Sequence, residues 1–196
     1  PGIGRTGVVG VIRGRATGSG GSQTTGSLAP AVKVAAHNAA KAFRAKLAPV
    51  FAAYCENVVH AGPAGHGLVL KLINNFVAQA ICNATAEAFA VGQRAGVDLK
   101  QFVALVSAGL VNSGLFQIMS KTLDGQLDGM KFELNNARKD VRYYTHLAEN
   151  LGVPTVMGEA THQSLVLACA LGYGNKLVPS LVEAQEKLAN VKIVPR

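Results

Sequence analysis

The sequence predicts a mainly α-helical domain from residue 66 onward, preceded by a short strand–helix–strand piece of an α/β domain. Three observations carry this. Roughly 25 residues from Gly67 to Gly92 or Ala95 are strong helix formers with no proline. Lys71, Asn75, Gln79, Asn83 and Glu87 recur at every fourth position inside that stretch, and a row at i, i+4 drifts only ~40° per step, so they form one winding polar stripe on an otherwise buried helix. The rest of the chain is punctuated by caps. Asp98 is placed to cap LKQFVALVSAG, and Ser113 to cap LFQIMSKTL before the Asp124-Gly125 turn. A helix over 132–151 is closed by Gly152 and Pro154, one over 155–171 by Gly172, and Pro179 opens the last, running to about Asn190.

Upstream, residues 1–26 hold nine glycines and three arginines with almost no hydrophobic periodicity, a composition unable to bury much surface. Residues 1–27 are therefore expected to be poorly ordered or a remnant, 28–65 to be the strand–helix–strand, and 66–196 the helical domain. The strand is AVKVAA, the helix starts at Asn38 and runs to about Tyr54 with Phe43, Leu47, Val50 and Phe51 on one face, and NVVHAG is extended.

Net charge is +8, yet residues 1–46 carry seven basic side chains and no acid, leaving the helical part close to neutral. Nucleic-acid binding by the opening segment would rest on charge alone and is not expected. No apolar stretch is long enough to span a bilayer. Cys55, Cys82 and Cys169 are far apart and odd in number, which gives neither a disulfide framework nor a metal pattern and fits a reducing cytoplasm. The five histidines have no metal spacing, so no metal is expected.

One constellation could carry chemistry. Gly62, Gly65, Gly67, Lys71 and Asn75 are spaced GxxGxGxxxKxxxN. The glycines allow close backbone approach and leave N–H groups free at a helix start, where the dipole favours a carboxylate. Lys71, one turn in among apolar neighbours, sits where desolvation and that dipole ease transfer of its proton. Asn75 lies on the same face, able to orient an oxygen that Lys71 protonates or deprotonates. Read from spacing alone, an interdomain loop followed by a solvated lysine fits as well.

That spacing and the long helix resemble the second signature of the β-hydroxyacid dehydrogenases, the family of 3-hydroxyisobutyrate and tartronate semialdehyde reductases related to 6-phosphogluconate dehydrogenase. AEAFAVGQRAGVD, FELNNARKDVRYYTHLAENLGVPTV and LGYGNKLVPSLVEA continue the likeness over roughly residues 28–188. The resemblance implies a helical domain like the C-terminal domain of 6-phosphogluconate dehydrogenase behind a remnant of a Rossmann domain, with NAD or NADP as cofactor, a small hydroxy acid or its semialdehyde as substrate, and a homodimer or higher homo-oligomer. By the same resemblance Lys71 is the catalytic lysine, Asn75 the amide that holds substrate beside it, and Lys139 the lysine that reaches the nicotinamide cofactor. Ser19, Gly20 and Gly21 resemble the loop that grips the substrate carboxylate, although a flexible linker reads equally well there.

The chain also departs from the family. Gly2-Ile3-Gly4-Arg5-Thr6-Gly7 spells GxGxxG, but no strand precedes it, no good helix follows, and no acid occurs before Glu56 to bind a ribose hydroxyl, so it lacks the context of a pyrophosphate cradle. The Rossmann half is expected to be largely missing, and activity of this chain by itself is left open. The competing reading is a catalytically silent helical domain used for dimerisation or partner binding.

Overall fold

A computed structural model describes residues 6–11, 41–42, 45–53, 55 and 57–195. The chain divides into two compact units, Pro1–Lys71 and Leu72–Arg196.

In the first unit, strand β1 (Thr6–Val11) pairs antiparallel with β2 (Asn57–Pro63), from Thr6 opposite Pro63 to Val11 opposite Asn57, with an irregularity between Gly7 and Val8. Helix α1 is helical at residues 41–42 and 45–52. Two differences from expectation lie here. A strand occupies part of the glycine-rich opening, because Val8, Val9 and Val11 supply β-branched residues that an extended partner, itself carrying Val58 and Val59, can pair with. That pairing is antiparallel, whereas the strands of a doubly wound sheet are mostly parallel. Thr6 and Gly7, the end of the GxGxxG spelling, fall inside β1 rather than on a turn into a helix. The AVKVAA segment lies outside the described residues, as do Ser19, Gly20 and Gly21.

Helix α2 (His66–Arg94) runs for 29 residues where the uninterrupted helix formers predict roughly 25. Gly62 and Gly65, at φ 98° and 94°, adopt the left-handed backbone that a side chain would resist. The Gly65 carbonyl then accepts from the N–H groups of Leu68 and Val69 in the first turn.

The second unit is mainly helical, with an isolated antiparallel bridge between Glu133 and Leu177, and follows its caps. Asp98 accepts from the Lys100 N–H at 2.8 Å to start α3 (Leu99–Ala108), and Ser113 Oγ accepts from the Phe116 N–H at 3.1 Å to start α4 (Gly114–Ser120). A 3₁₀ turn, Lys121–Asp124, ends at left-handed Gly125. Helix α5 (Leu134–Asn150) closes with Gly152 at φ 66° while the Val153 N–H reaches back to the Ala148 carbonyl. Helix α6 (Val156–Ala168) continues into a wider turn, Cys169–Tyr173, broken at Gly172. After the turn Val178–Ser180, α7 (Leu181–Ala189) ends on left-handed Asn190.

The core of this unit is built from Phe89, Phe116, Met119, Leu134, Val141, Leu165, Leu181 and Val182. Phe89, Phe102 and Phe116 meet edge-on with centroids 6.1–6.4 Å apart, the arrangement ring quadrupoles prefer. The C-terminal segment is held by Glu186, whose carboxylate accepts from the N–H groups of Ile193 and Val194. Among the described residues, no helix is long and apolar enough to cross a membrane.

Helix α2 departs from the expected pattern in one respect. Gln79 and Asn83, two members of the polar stripe, are buried, while Leu70, Ile73, Val77 and Val91 are exposed. The apolar remainder of the helix is therefore not all packed inside among the described residues.

Candidate active site

The stripe on α2 begins with Lys71, which is half-buried, and continues one turn on with Asn75, also half-buried. Four residues of helical rise separate them by ~6 Å along the axis, on neighbouring positions of one face.

What Asn75 meets is the informative contact. Its Nδ2 donates to Asp140 Oδ2 at 2.7 Å, across 65 residues of sequence. Asp140 belongs to α5 and is buried, with the carboxylate itself inside the unit. One residue earlier, Lys139 is half-exposed and its Nζ lies 3.5 Å from Asp140 Oδ1. Asn75 and Lys139, picked out separately in the sequence, thus converge on opposite oxygens of one carboxylate. The packing of α2 on α5 that makes this possible is visible one residue beyond Asn75 on α2 and one turn beyond Asp140 on α5, where Phe76 and Tyr144 stack at 4.2 Å with planes 5° apart.

In the sequence Asp140 stands out only as the acid next to Lys139, and its bond to Asn75 is not foreseen. The signal available was weak. An acid in a helix's buried register with a basic neighbour suggests a partner, but not which one.

Beyond Asn75 the stripe runs into the interior. Asn83 Nδ2 donates to the Gln79 backbone carbonyl at 2.8 Å, yet Gln79 Oε1 and Asn83 Oδ1 are buried with no donor among the described residues. Glu87, the fifth member, is exposed. The tyrosines separate likewise: Tyr144 packs, and Tyr143 points outward.

Other reactive groups stand apart from chemistry. Burial pushes the Cys82 thiol up to about 12, far from a usable thiolate. Cys169 is raised in the same direction by burial, with the charge of Arg138 opposing. Burial lowers His162 below 6.5, Glu159 opposes this, and Arg138, Arg142 and His146 reinforce it. His60 and His66, which flank the glycine loop, are exposed. Among the described residues no group of three or more His, Cys, Asp or Glu could hold a metal ion.

A nicotinamide dinucleotide can be tested against this donor set. A half-exposed ammonium and an amide, both anchored on one buried carboxylate, suit the approach of a ligand that carries oxygen acceptors and arrives from outside the helical unit. Those residues would contact only the reacting end of such a molecule. A glycine-rich turn for its pyrophosphate is not found among the described residues.

Comparison with known proteins gives the same direction. The sequence model of the family described as the NAD-binding domain of NADP-dependent 3-hydroxyisobutyrate dehydrogenase matches residues 65–183. A glyoxylate/succinic semialdehyde reductase 2 of Arabidopsis thaliana is 24% identical over 139 residues, covering 71% of this chain and 39% of that protein. A 3-sulfolactaldehyde reductase of Escherichia coli is 28% identical over 137 residues, covering 69% and 46%. Among solved structures, a 3-hydroxyisobutyrate dehydrogenase from Salmonella typhimurium superposes with a TM-score of 0.64 at 25% identity, covering 71% of this chain and 49% of that one. The chain thus spans about half or less of the length of these relatives.

Proposed function

The chain belongs to the family of 3-hydroxyisobutyrate dehydrogenase, in the helical NAD-binding part of those enzymes, and from that premise we propose that it serves an NAD(P)-dependent reduction of a small semialdehyde, or the reverse oxidation of a small hydroxy acid. The observation that carries this is the convergence of Asn75 and Lys139 on Asp140. It supports a site in which substrate and cofactor contacts are built side by side on α2 and α5.

In this reading Lys71 is the proton carrier. Its ammonium gives a proton to the carbonyl oxygen as an alcohol forms, and its amine takes the proton back in the opposite direction. Asn75 holds that oxygen by hydrogen bond one turn further along the helix. Lys139, half-exposed beside Asp140, reaches the cofactor. The bound dinucleotide supplies or accepts the hydride. Ser19, Gly20 and Gly21 complete the proposal as a carboxylate grip through hydroxyl and backbone N–H. Assembly as a homodimer in the cytoplasm belongs to the same reading, supported by the exposed apolar row Leu70, Ile73, Val77 and Val91.

Two measurements test it. Fluorescence titration of the chain with NADH and NADPH should give saturable binding; none at millimolar cofactor favours the catalytically silent domain. Lys71→Ala should lower turnover about 10²- to 10⁴-fold, the range for a lost general acid, with cofactor affinity nearly unchanged. Equal turnover defeats the assignment.

A further inference from the structure

Asp140 is the least expected member of the cluster. A carboxylate held inside a protein is costly unless hydrogen-bonded and paired, and as a source of stability such a pair is often no better than apolar residues of the same size. Geometry offers a better account of its presence. Asp140 Oδ2 can only accept, so the group that faces it at 2.7 Å must be the Asn75 NH₂ and not the Asn75 carbonyl. An amide has two ways round, and this contact selects one. The Asn75 oxygen is thereby turned away from Asp140, to the side where Asn74 Nδ2 stands at 3.4 Å. The other oxygen of the same carboxylate lies near the Lys139 ammonium.

Building on the reductase reading, we propose that Asp140 is a positioning residue, one buried carboxylate that fixes which way round the Asn75 amide stands and where the Lys139 ammonium rests. It touches neither substrate nor cofactor. Its effect is to present a hydrogen-bond acceptor and a single remaining N–H of Asn75 in a set order, so that the oxygen to be protonated meets a preorganised partner.

The test compares the chain with Asp140→Asn and Asp140→Glu. In ¹⁵N-labelled protein, the Asn75 side-chain NH₂ pair is identified by its disappearance in Asn75→Ser. It is expected to exchange slowly with solvent and to be displaced by its carboxylate acceptor. Asp140→Asn, which can offer either an oxygen or an NH₂, should let the amide stand both ways, moving or splitting that pair and speeding its exchange at least ~10-fold. Asp140→Glu should restore it in part. In reduction of a small semialdehyde with NADPH, Asp140→Asn should lower kcat by up to ~10²-fold, the scale of a misplaced reacting group, with KM changed much less. Unchanged Asn75 signals in a folded Asp140→Asn protein overturn the proposal whatever the turnover. Normal Asn75 signals with no turnover in the unsubstituted chain count against the reductase reading and leave the carboxylate's hold on the amide standing.

Discussion

Each of two faces of α2 mixes residues that a helix usually keeps apart. The inner face carries Asn75, Gln79 and Asn83 among buried Leu72, Cys82, Ala86 and Phe89, and two of the three amides are buried. The outer face carries Leu70, Ile73, Val77 and Val91, all exposed. A helix in a single folded unit normally turns apolar residues inward and polar residues to water. The mixture teaches that two different demands act on one element. A polar group enters this face where a buried partner such as Asp140 stands, and apolar groups are left outside where nothing among the described residues lies over them.

The strongest way to break this comparison acts on the inner face. Gln79 is 1% exposed and its Oε1 has no donor among the described residues, so Gln79→Leu should raise the unfolding free energy by about 1 to 3 kcal/mol, the cost of a buried unsatisfied group. Urea denaturation measures it. A loss of stability instead would mean that this amide has work inside the fold. On the outer face, Val77 is 48% exposed, and Val77→Asp should change the stability of the separate chain by no more than about 0.5 kcal/mol while converting a dimer to a monomer in light scattering. A chain that is monomeric before the substitution removes the partner from the argument. The smallest effect sharpens the contrast with a region that belongs to neither face. His162 on α6 has its folded-state pKa held below 6.5, first by burial, so the unfolded chain takes up its proton more readily. Its contribution to stability is present above pH 6.5 and is lost as pH falls through the window below that value. His162→Gln should flatten that part of the stability profile.

Much of this was legible in the residues because it is local. Asp98, Ser113, Gly152 and Gly172 mark helix ends through contacts within a few residues of themselves, and α3 to α6 begin or end beside them. Lys71 and Asn75 could be singled out because four residues of spacing fix a shared face. The contacts that were not legible are long-range. Nothing in the i, i+4 stripe tells that Asn75 meets a carboxylate 65 residues away, or that Gln79 goes inside while Glu87 stays out. Strand β1 was missed for the same reason, since valines among glycines become a strand only when residues about fifty positions later lie alongside.

Cys82 adds a practical consequence. Its sulfur is fully enclosed on α2 and its thiol stays protonated at any ordinary pH, so an alkylating reagent can reach a reactive form only when the surrounding helices part. The rate of its modification is therefore a clock for those openings, already built into the middle of the longest helix and needing no engineered probe.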